Sequence, residues 1–331
     1  MNQSILYPED IIKSYEKYGE DFITIDLTTI KENTAKTVKY CKLKILKENG
    51  LEVVPIIKLV NLTIASKAKI PSEREFDKIK YALRKNDIMN SESKFGEAME
   101  LICNTFTKKV KDMKTNGIIN DDEDDENNNP NVIIVPNCKS QTPLQKKAKN
   151  KEGLSVNLDN PMIWIGLNFK KYPAEDEKKL EVFDGLTYKR DNKPFYIKEF
   201  DLNIYDLERL INKKPQLAVD ENNNTMNNTN IHKFITTNSS ILGTIEMQVI
   251  MSKQSFNLNT KFSRNLYVES NKNVISNNQH LFDDSEFESM INKTLVKKPI
   301  VLDDEVEYES DNDSEEMSND LDNKLNNLTF T

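Results

Sequence analysis

The chain has 331 residues, 37% hydrophobic and 30% charged, with only 8 Gly and 11 Pro, which excludes collagen-like or elastic repeats and suffices for one large domain or two small ones. No apolar run approaches the roughly 18 residues of a membrane-spanning helix, and the opening Met1-Asn2-Gln3-Ser4-Ile5-Leu6 lacks the basic and apolar regions of a signal peptide. The net charge of −8 is unevenly held: residues 301–331 carry eleven acids against Lys324 alone, Asp121 to Glu126 add six more, and what remains is a body of +8.

Residues 8–19 read as a short helix. Pro8, Glu9 and Asp10 suit its first turn, Ile11, Ile12 and Tyr15 recur at helical spacing, and Gly19 ends it. Phe22, Ile23, Ile25 and Leu27 follow as a strand. Residues 36–64 give the clearest hairpin, Lys36 to Lys47 and Leu51 to Ile64, around Glu48-Asn49-Gly50, with Asn-Gly supplying positive φ. Within it Cys41, Leu43 and Ile45 alternate with Tyr40, Lys42 and Lys44, which predicts a half-buried strand with a basic, aromatic outer face, or an ordinary solvated one. Residues 92–115 read as a helix with Phe95, Met99, Ile102, Phe106 and Val110 on one side and Asn116-Gly117 at its end.

An acidic loop near 117–131 follows, then the apolar run Val132 to Val135. Residues 137–153, with Lys139, Lys146, Lys147, Lys149 and Lys151, read as a basic loop. Pro161 to Phe169, holding the only tryptophan, Trp164, reads as a central strand. Two strands are expected around Asp191-Asn192 within 180–200, and a short helix from Ile204, Leu207, Leu210 and Ile211. Residues 220–230 are Asn-rich and are expected to be a disordered insert. Thr244 to Met251 and Phe256 to Val268 form a final strand pair. Residues 271–300 are a polar linker with one helical turn at Leu281 to Met290, and 301–331 a disordered acidic tail with a hydrophobic tip of Leu325, Leu328 and Phe330. Strands, few helices and long connections predict a mainly β (α+β) body over 1–270, a Greek-key barrel with added helices.

Signatures of catalysis are missing, and the chain is expected to be non-enzymatic, with no cofactor and no metal. His232 and His280 are its only histidines, and Cys41, Cys103 and Cys138 are widely spaced, as in a reduced intracellular chain. No Walker A, GxGxxG, GxSxG or HExxH motif occurs. Asp201 and Asp206 are the residual metal candidates, with capping and turn formation as the alternative. His232, in Asn230-Ile231-His232-Lys233, reads as a structural hydrogen-bonding group.

Bases and aromatics do interleave, in five clusters: Lys39-Tyr40 with Lys42 and Lys44; Lys80-Tyr81 with Arg84 and Lys85; Phe169-Lys170-Lys171-Tyr172; Tyr188-Lys189-Arg190 with Phe195 and Tyr196; and Lys261-Phe262 with Arg264 and Tyr267. Single-stranded nucleic acid needs both kinds of group, cations along the phosphates and aromatic faces under unpaired bases. The expected phosphate contacts are Lys42, Lys44, Lys80, Arg84, Lys170, Lys171, Lys189, Arg190 and Arg264. The expected stacking residues are Tyr40, Tyr81, Tyr172, Tyr188 and Tyr267. Phe169, Phe195 and Phe262 are expected in the core, and Trp164 either stacks or is core.

Several blocks in order resemble the single-stranded-DNA-binding proteins of nucleocytoplasmic large DNA viruses, of the African swine fever virus type. They are the N-terminal helix followed by Phe22-Ile23-Thr24-Ile25-Asp26, then Thr37-Val38-Lys39-Tyr40 opening a Lys-rich hairpin, the apolar strand from Trp164 to Phe169, and Asn230-Ile231-His232-Lys233 before the last strand pair. The resemblance covers roughly residues 5–270 in patches. It implies an oligonucleotide-binding (OB-fold-like) barrel and sequence-tolerant binding of single-stranded DNA, with RNA as a second candidate, in viral replication, repair or recombination. It further implies a place in a viral factory in the host cytoplasm, with packaging in the virion as an extension. No membrane is expected as a partner; replication proteins are expected at the acidic tail, and homo-oligomerisation is compatible with the reading. The Asn-rich insert and acidic tail depart from the pattern. The alternative reading is a viral scaffold or adaptor that docks partners through that tail.

Overall fold

The computed structural model describes residues 3–32, 38–66, 79–87, 90–120, 133–134, 139–149, 153–167, 182–187, 194–196, 200–212, 214–228, 230–252 and 255–270. The chain divides into two units, residues 1–145 with 160–298, and residues 146–159 with 299–331. The acidic block, the polar linker, the acidic tail and Cys138 lie outside the described residues.

Strand β1 (Gln3–Leu6) leads into helix α1 (Pro8–Tyr18). Pro8 occupies the first turn, the Tyr7 amide donates to Asp10 Oδ2 at 3.0 Å, and Gly19 at φ 56° ends the helix as the sequence predicts. After a short 3-10 turn come β2 (Ile23–Glu32), β3 (Lys39–Leu46) and β4 (Glu52–Ser66). Lys47 to Leu51 close the β3–β4 turn, and Gly50 alone carries the positive φ, 82°. Cys41, Leu43 and Ile45 are buried as the alternation requires. The two strands pair only beside the turn, at Ile45 with Val53 and Leu46 with Glu52, and then part.

Next are β5 (Lys80–Arg84), helix α2 (Phe95–Thr115), β6 (Ile119–Asn120), β7 (Ile133–Ile134), β8 (Lys139–Gln141), β9 (Leu144–Lys149) and β10 (Ser155–Gly166). Helix α2 packs on α1 and buries Phe95, Met99, Ile102, Phe106 and Val110, and Gly117 at φ 68° follows it. Gly96, in its first turn, lies against the chain after β5: a Cβ there would stand 1.8 Å from the Lys85 carbonyl oxygen. The stretch expected as a basic loop contains β8 and β9. Described residues of the second unit belong to the β9–β10 hairpin, with Lys146, Lys147 and Lys149 exposed on one arm and Leu154 and Val156 exposed toward the other.

The remaining elements are β11 (Val182–Thr187), β12 (Pro194–Tyr196), β13 (Asn203–Ile211), β14 (Lys214–Leu217), the single turn α3 (Ile231–Phe234), β15 (Ser240–Met251) and β16 (Ser255–Glu269). The hairpin β11–β12 and the pair β15–β16 match expectation. The helix expected at 204–211 is strand β13. The Asn-rich stretch is built of turns: Asp220 accepts from the amides of Asn222 and Asn224, and Asn230 donates to Asp220 Oδ2 at 3.1 Å.

Twelve strands hydrogen-bond into one mixed sheet along the path β14-β13-β16-β10-β5-β4-β15-β3-β2, with β1 on β4, β8 on β16 and β9 on β10. This overturns the expected OB-fold-like Greek-key barrel. Strands β14 and β2 end the path, three strands branch from it, and β1–β4, β8–β16 and β13–β16 pair parallel. Parallel pairs need crossover connections that a meander of hairpins lacks. Neighbours β16 and β10 meet at one residue pair, Lys261 with Gly166. What forms is a mixed, mostly β sheet with added helices. Strand β15 runs between β4 and β3, with Ile245 opposite Ile57 on one side and Val249 opposite Cys41 on the other. The core lies under this centre, where Leu43, Ile57, Ile245, Phe256 and Phe262 meet the helices' Ile11, Met99 and Phe106.

One buried carboxylate couples this centre to pH. Asp26 Oδ2 meets Lys44 Nζ at 2.8 Å, and Oδ1 accepts from the Thr28 hydroxyl at 2.5 Å. The Lys44 contact first, then Thr28, holds the Asp26 carboxyl below the ordinary carboxylate range despite burial. A depressed folded value contributes stability above the unfolded pKa, lost as pH falls through the folded one. The stability gap between wild type and Asp26→Asn, read by urea unfolding, is therefore expected to be full at neutral pH and to narrow on acidification below about pH 4, the unfolded value.

Candidate nucleic-acid interface

The last strand pair sets the face. On β15, Thr244, Glu246, Gln248 and Ile250 alternate with buried Ile245, Met247, Val249 and Met251. Across β16 the register places Lys261 opposite Glu246, Asn259 opposite Gln248 and Asn257 opposite Ile250. On the other side Tyr40 of β3 stands opposite Ile250, and Lys31 of β2 opposite Tyr40. The period of two thus gathers side chains from two strand pairs, β2–β3 and β15–β16, that are far apart in sequence.

They line a cleft of about 300 Å³ whose polar wall holds Lys31, Tyr40, Lys42, Gln248, Asn259 and Lys261. Cys41 also borders it, but burial, with Asp26 adding to it, pushes its thiol up to about 12, so the cleft holds no thiolate nucleophile at neutral pH. A larger cleft of about 620 Å³ lies beyond Glu246, which lines both. Its wall includes Asp201, Asn203, Ile204, Met226 and Arg264.

Arg264 is placed by a bulge. The β15–β16 register passes from Thr244 with Ser263 to Gly243 with Leu266, which leaves Arg264 and Asn265 as inserted residues. Arg264 takes φ 58° and is exposed, and Asn265 turns to pair with Asn203 of β13. Gly243 makes room, since a Cβ there would lie 3.0 Å from the Asn265 carbonyl oxygen.

The structure places the expected site residues unevenly. Tyr40 and Lys42 share the smaller cleft, with Tyr40 half-buried and Lys42 exposed. Lys44 is engaged by Asp26 and Glu52. Lys80 and Arg84 are exposed at the two ends of β5, but Tyr81 between them is 0% exposed. Strand β5 is interior, between β4 and β10, and buries Tyr81, Ala82 and Leu83 in succession, so the ring offers no face to a base. Tyr267 is 7% exposed and already stacked on Tyr205, with centroids 4.8 Å apart, beside Leu207 and Leu242. Lys170, Lys171, Tyr172, Tyr188, Lys189 and Arg190 lie outside the described residues, as do Phe169 and the side chain of Phe195.

Phe262 is core. Trp164 is half-buried and donates from Nε1 to Gln145 Oε1 at 2.6 Å. Asp206 Oδ1 accepts from the Glu208 amide at 2.9 Å, a backbone-shaping bond. Among the described residues no group of three or more His, Cys, Asp or Glu could hold a metal ion. His232 sits in the α3 turn, where burial and then the Lys233 charge lower its pKa. The sequence reading missed Lys31, whose only signal is its position on the strand that pairs with Tyr40.

No protein-family model matches the chain, and no curated protein matches it. Among solved structures it is similar to the single-stranded DNA-binding protein from bacteriophage Enc34. A C-terminally truncated form aligns at 11% identity and a TM-score of 0.28, covering 69% of this chain and 91% of that one. The form in complex with single-stranded DNA aligns at 12% and 0.27, covering 68% and 88%, and a further structure of the same phage protein at 10% and 0.26, covering 73% and 92%. Likeness of this degree carries no argument about the site, which rests on the residues described above.

Proposed function

We propose that the protein binds single-stranded DNA without catalysing a reaction on it, tolerant of sequence, on strands exposed during viral replication, repair or recombination at a viral factory. The observation that carries the reading is the smaller cleft, where three lysines from three strands converge beside a half-buried tyrosine. Lys31, Lys42 and Lys261 supply the cations that phosphates need, Tyr40 supplies an aromatic surface, and Gln248 and Asn259 supply neutral hydrogen-bonding groups. Such a surface suits a polyanion, and among the described residues no group of His, Cys, Asp or Glu could hold a catalytic metal beside it. The +8 body agrees with this, since the two acidic segments take eleven and six acids but only one base, Lys324, out of it.

Fluorescence anisotropy with labelled oligo-dT and duplex DNA over a salt series tests the reading. The full chain is expected to prefer the single strand, with an affinity that falls as salt rises. Replacing Lys31, Lys42 and Lys261 together by alanine is expected to reduce the log–log salt slope by about 2, at roughly 0.7 per phosphate contact. A full-length chain that ignores oligo-dT, or a triple variant with the wild-type slope, would overturn the proposal.

A further inference from the structure

The larger cleft differs in kind from the smaller one. Its lining mixes the buried apolar side chains Ile204 and Met226 with the polar Asp201, Asn203, Glu246 and Arg264. At about 620 Å³ it falls in the size range of pockets that take small organic groups. It shares Glu246 with the phosphate-tracking cleft, so a strand lying along the lysines passes its mouth.

The rim chemistry is selective. Asp201 and Glu246 bring carboxylate oxygens, which accept hydrogen bonds and give none. Cytosine, adenine and guanine carry exocyclic amines that donate to such oxygens, and thymine carries none. Arg264 adds a cation at the same rim. A non-glycine residue at φ 58° is a strained choice, and such residues persist where the surrounding fold fixes them for a purpose. Here the inserted bulge presents the guanidinium beside the cleft, where a regular strand would continue the pleat.

We propose that this cleft takes one unstacked nucleobase bearing an exocyclic amine, with Asp201 and Glu246 accepting from the amine and Arg264 holding the adjoining phosphate. The inference rests on the single-strand reading above and adds a base preference to it. Buried Ile204 and Met226 offer apolar contact to any of the four bases, and the carboxylates then set amine-bearing bases apart from thymine.

The full chain, titrated in parallel with labelled oligo-dC and oligo-dT, tests it. Wild type is expected to bind oligo-dC about tenfold tighter, within the range of a good base-edge contact. Asp201→Ala with Glu246→Ala is expected to erase the preference, so that oligo-dC and oligo-dT bind with equal affinity. Thr225→Trp, placed from an exposed position on the cleft wall, fills the slot without touching the carboxylates and is expected to erase the preference as well, so a poorly folded double variant does not end the test. Equal binding of both oligonucleotides by wild type, or a preference that survives both variants, would overturn the base slot and leave strand binding standing. No binding to either oligonucleotide would overturn strand binding itself.

Discussion

Replacing Gly96 by alanine is expected to cost more than about 3 kcal/mol, seen as a lower urea midpoint with an unchanged slope. Helix propensity alone predicts the opposite, since alanine gains about 1 kcal/mol over glycine in a helix. Geometry decides the sign. A methyl on Gly96 would sit 1.8 Å from the Lys85 carbonyl oxygen and 2.6 Å from its carbon. Those are backbone atoms, and they are tied down: the Lys85 amide donates to the Pro161 carbonyl at 2.7 Å, and the Lys85 ammonium pairs with Glu100 of the same helix. Relief would require α2 to lift from the end of β5, uncovering Phe95 and Met99. A margin of 5–15 kcal/mol for a typical domain makes that a large loss. A stabilised Gly96→Ala protein would show that the helix does not lie where the structure puts it.

The second large effect is at Tyr81. Tyr81→Ala is expected to cost about 3–5 kcal/mol, the usual penalty for emptying a large aromatic site in a core. Tyr81→Phe is expected to raise stability by about 1 kcal/mol, because the Tyr81 hydroxyl is buried without a hydrogen-bond partner among the described residues and its removal relieves an unmet desolvation cost. Burial also pushes the phenol's pKa up, the mark of a group held away from water. Tyr81→Phe should leave oligo-dT affinity unchanged. A more than threefold loss of binding would place the hydroxyl at the strand interface instead.

The contrast between Tyr81 and Tyr40 shows what the sequence can and cannot say. Both sit beside lysine in a strand. Tyr40 belongs to a strand with one buried face, so period-two alternation exposes it beside the cleft. Tyr81 belongs to a strand with three consecutive buried residues, so both of its faces are covered, and nothing in Lys80-Tyr81-Ala82 records that. Spacing misleads at β13 for a related reason. Ile204, Leu207 and Leu210 suggest a helix, but residues three apart in a strand face opposite sides, and here both sides are covered: Ile204 joins the main core while Leu207 packs with Leu242 and Tyr267. In β9 the buried residues are only Leu144 and Ala148 among exposed or half-buried neighbours, too few for a period to emerge.

Composition misleads at 220–230 in the other direction. Asparagine and aspartate satisfy one another's backbone there, with Asn223 at φ 59° and Asn228 and Asn230 buried, so a polar stretch is ordered by local turns. By contrast α1, α2, the β3–β4 turn and the pair β15–β16 are legible because their patterns are long and their ends carry glycine or asparagine at the expected places. The two clefts are legible only in fragments. Their cations come from β2, β3 and β16, and register, which brings them together, is a long-range property.

The placement of β15 between β3 and β4 has a consequence during synthesis. The ribosome delivers β3 and β4 joined by a turn that holds them only at its base, and the strand that completes both edges follows about 200 residues later. At 5–20 residues per second the nascent chain waits about 10–40 s with those edges open. Contacts of such long range also slow folding after release. Until β15 arrives, Cys41, Ile56 and Ile57 border an incomplete sheet that could pair with another chain. The vulnerable species is thus a stalled or truncated chain ending before residue 240, and holdase chaperones should bind it in preference to the finished protein.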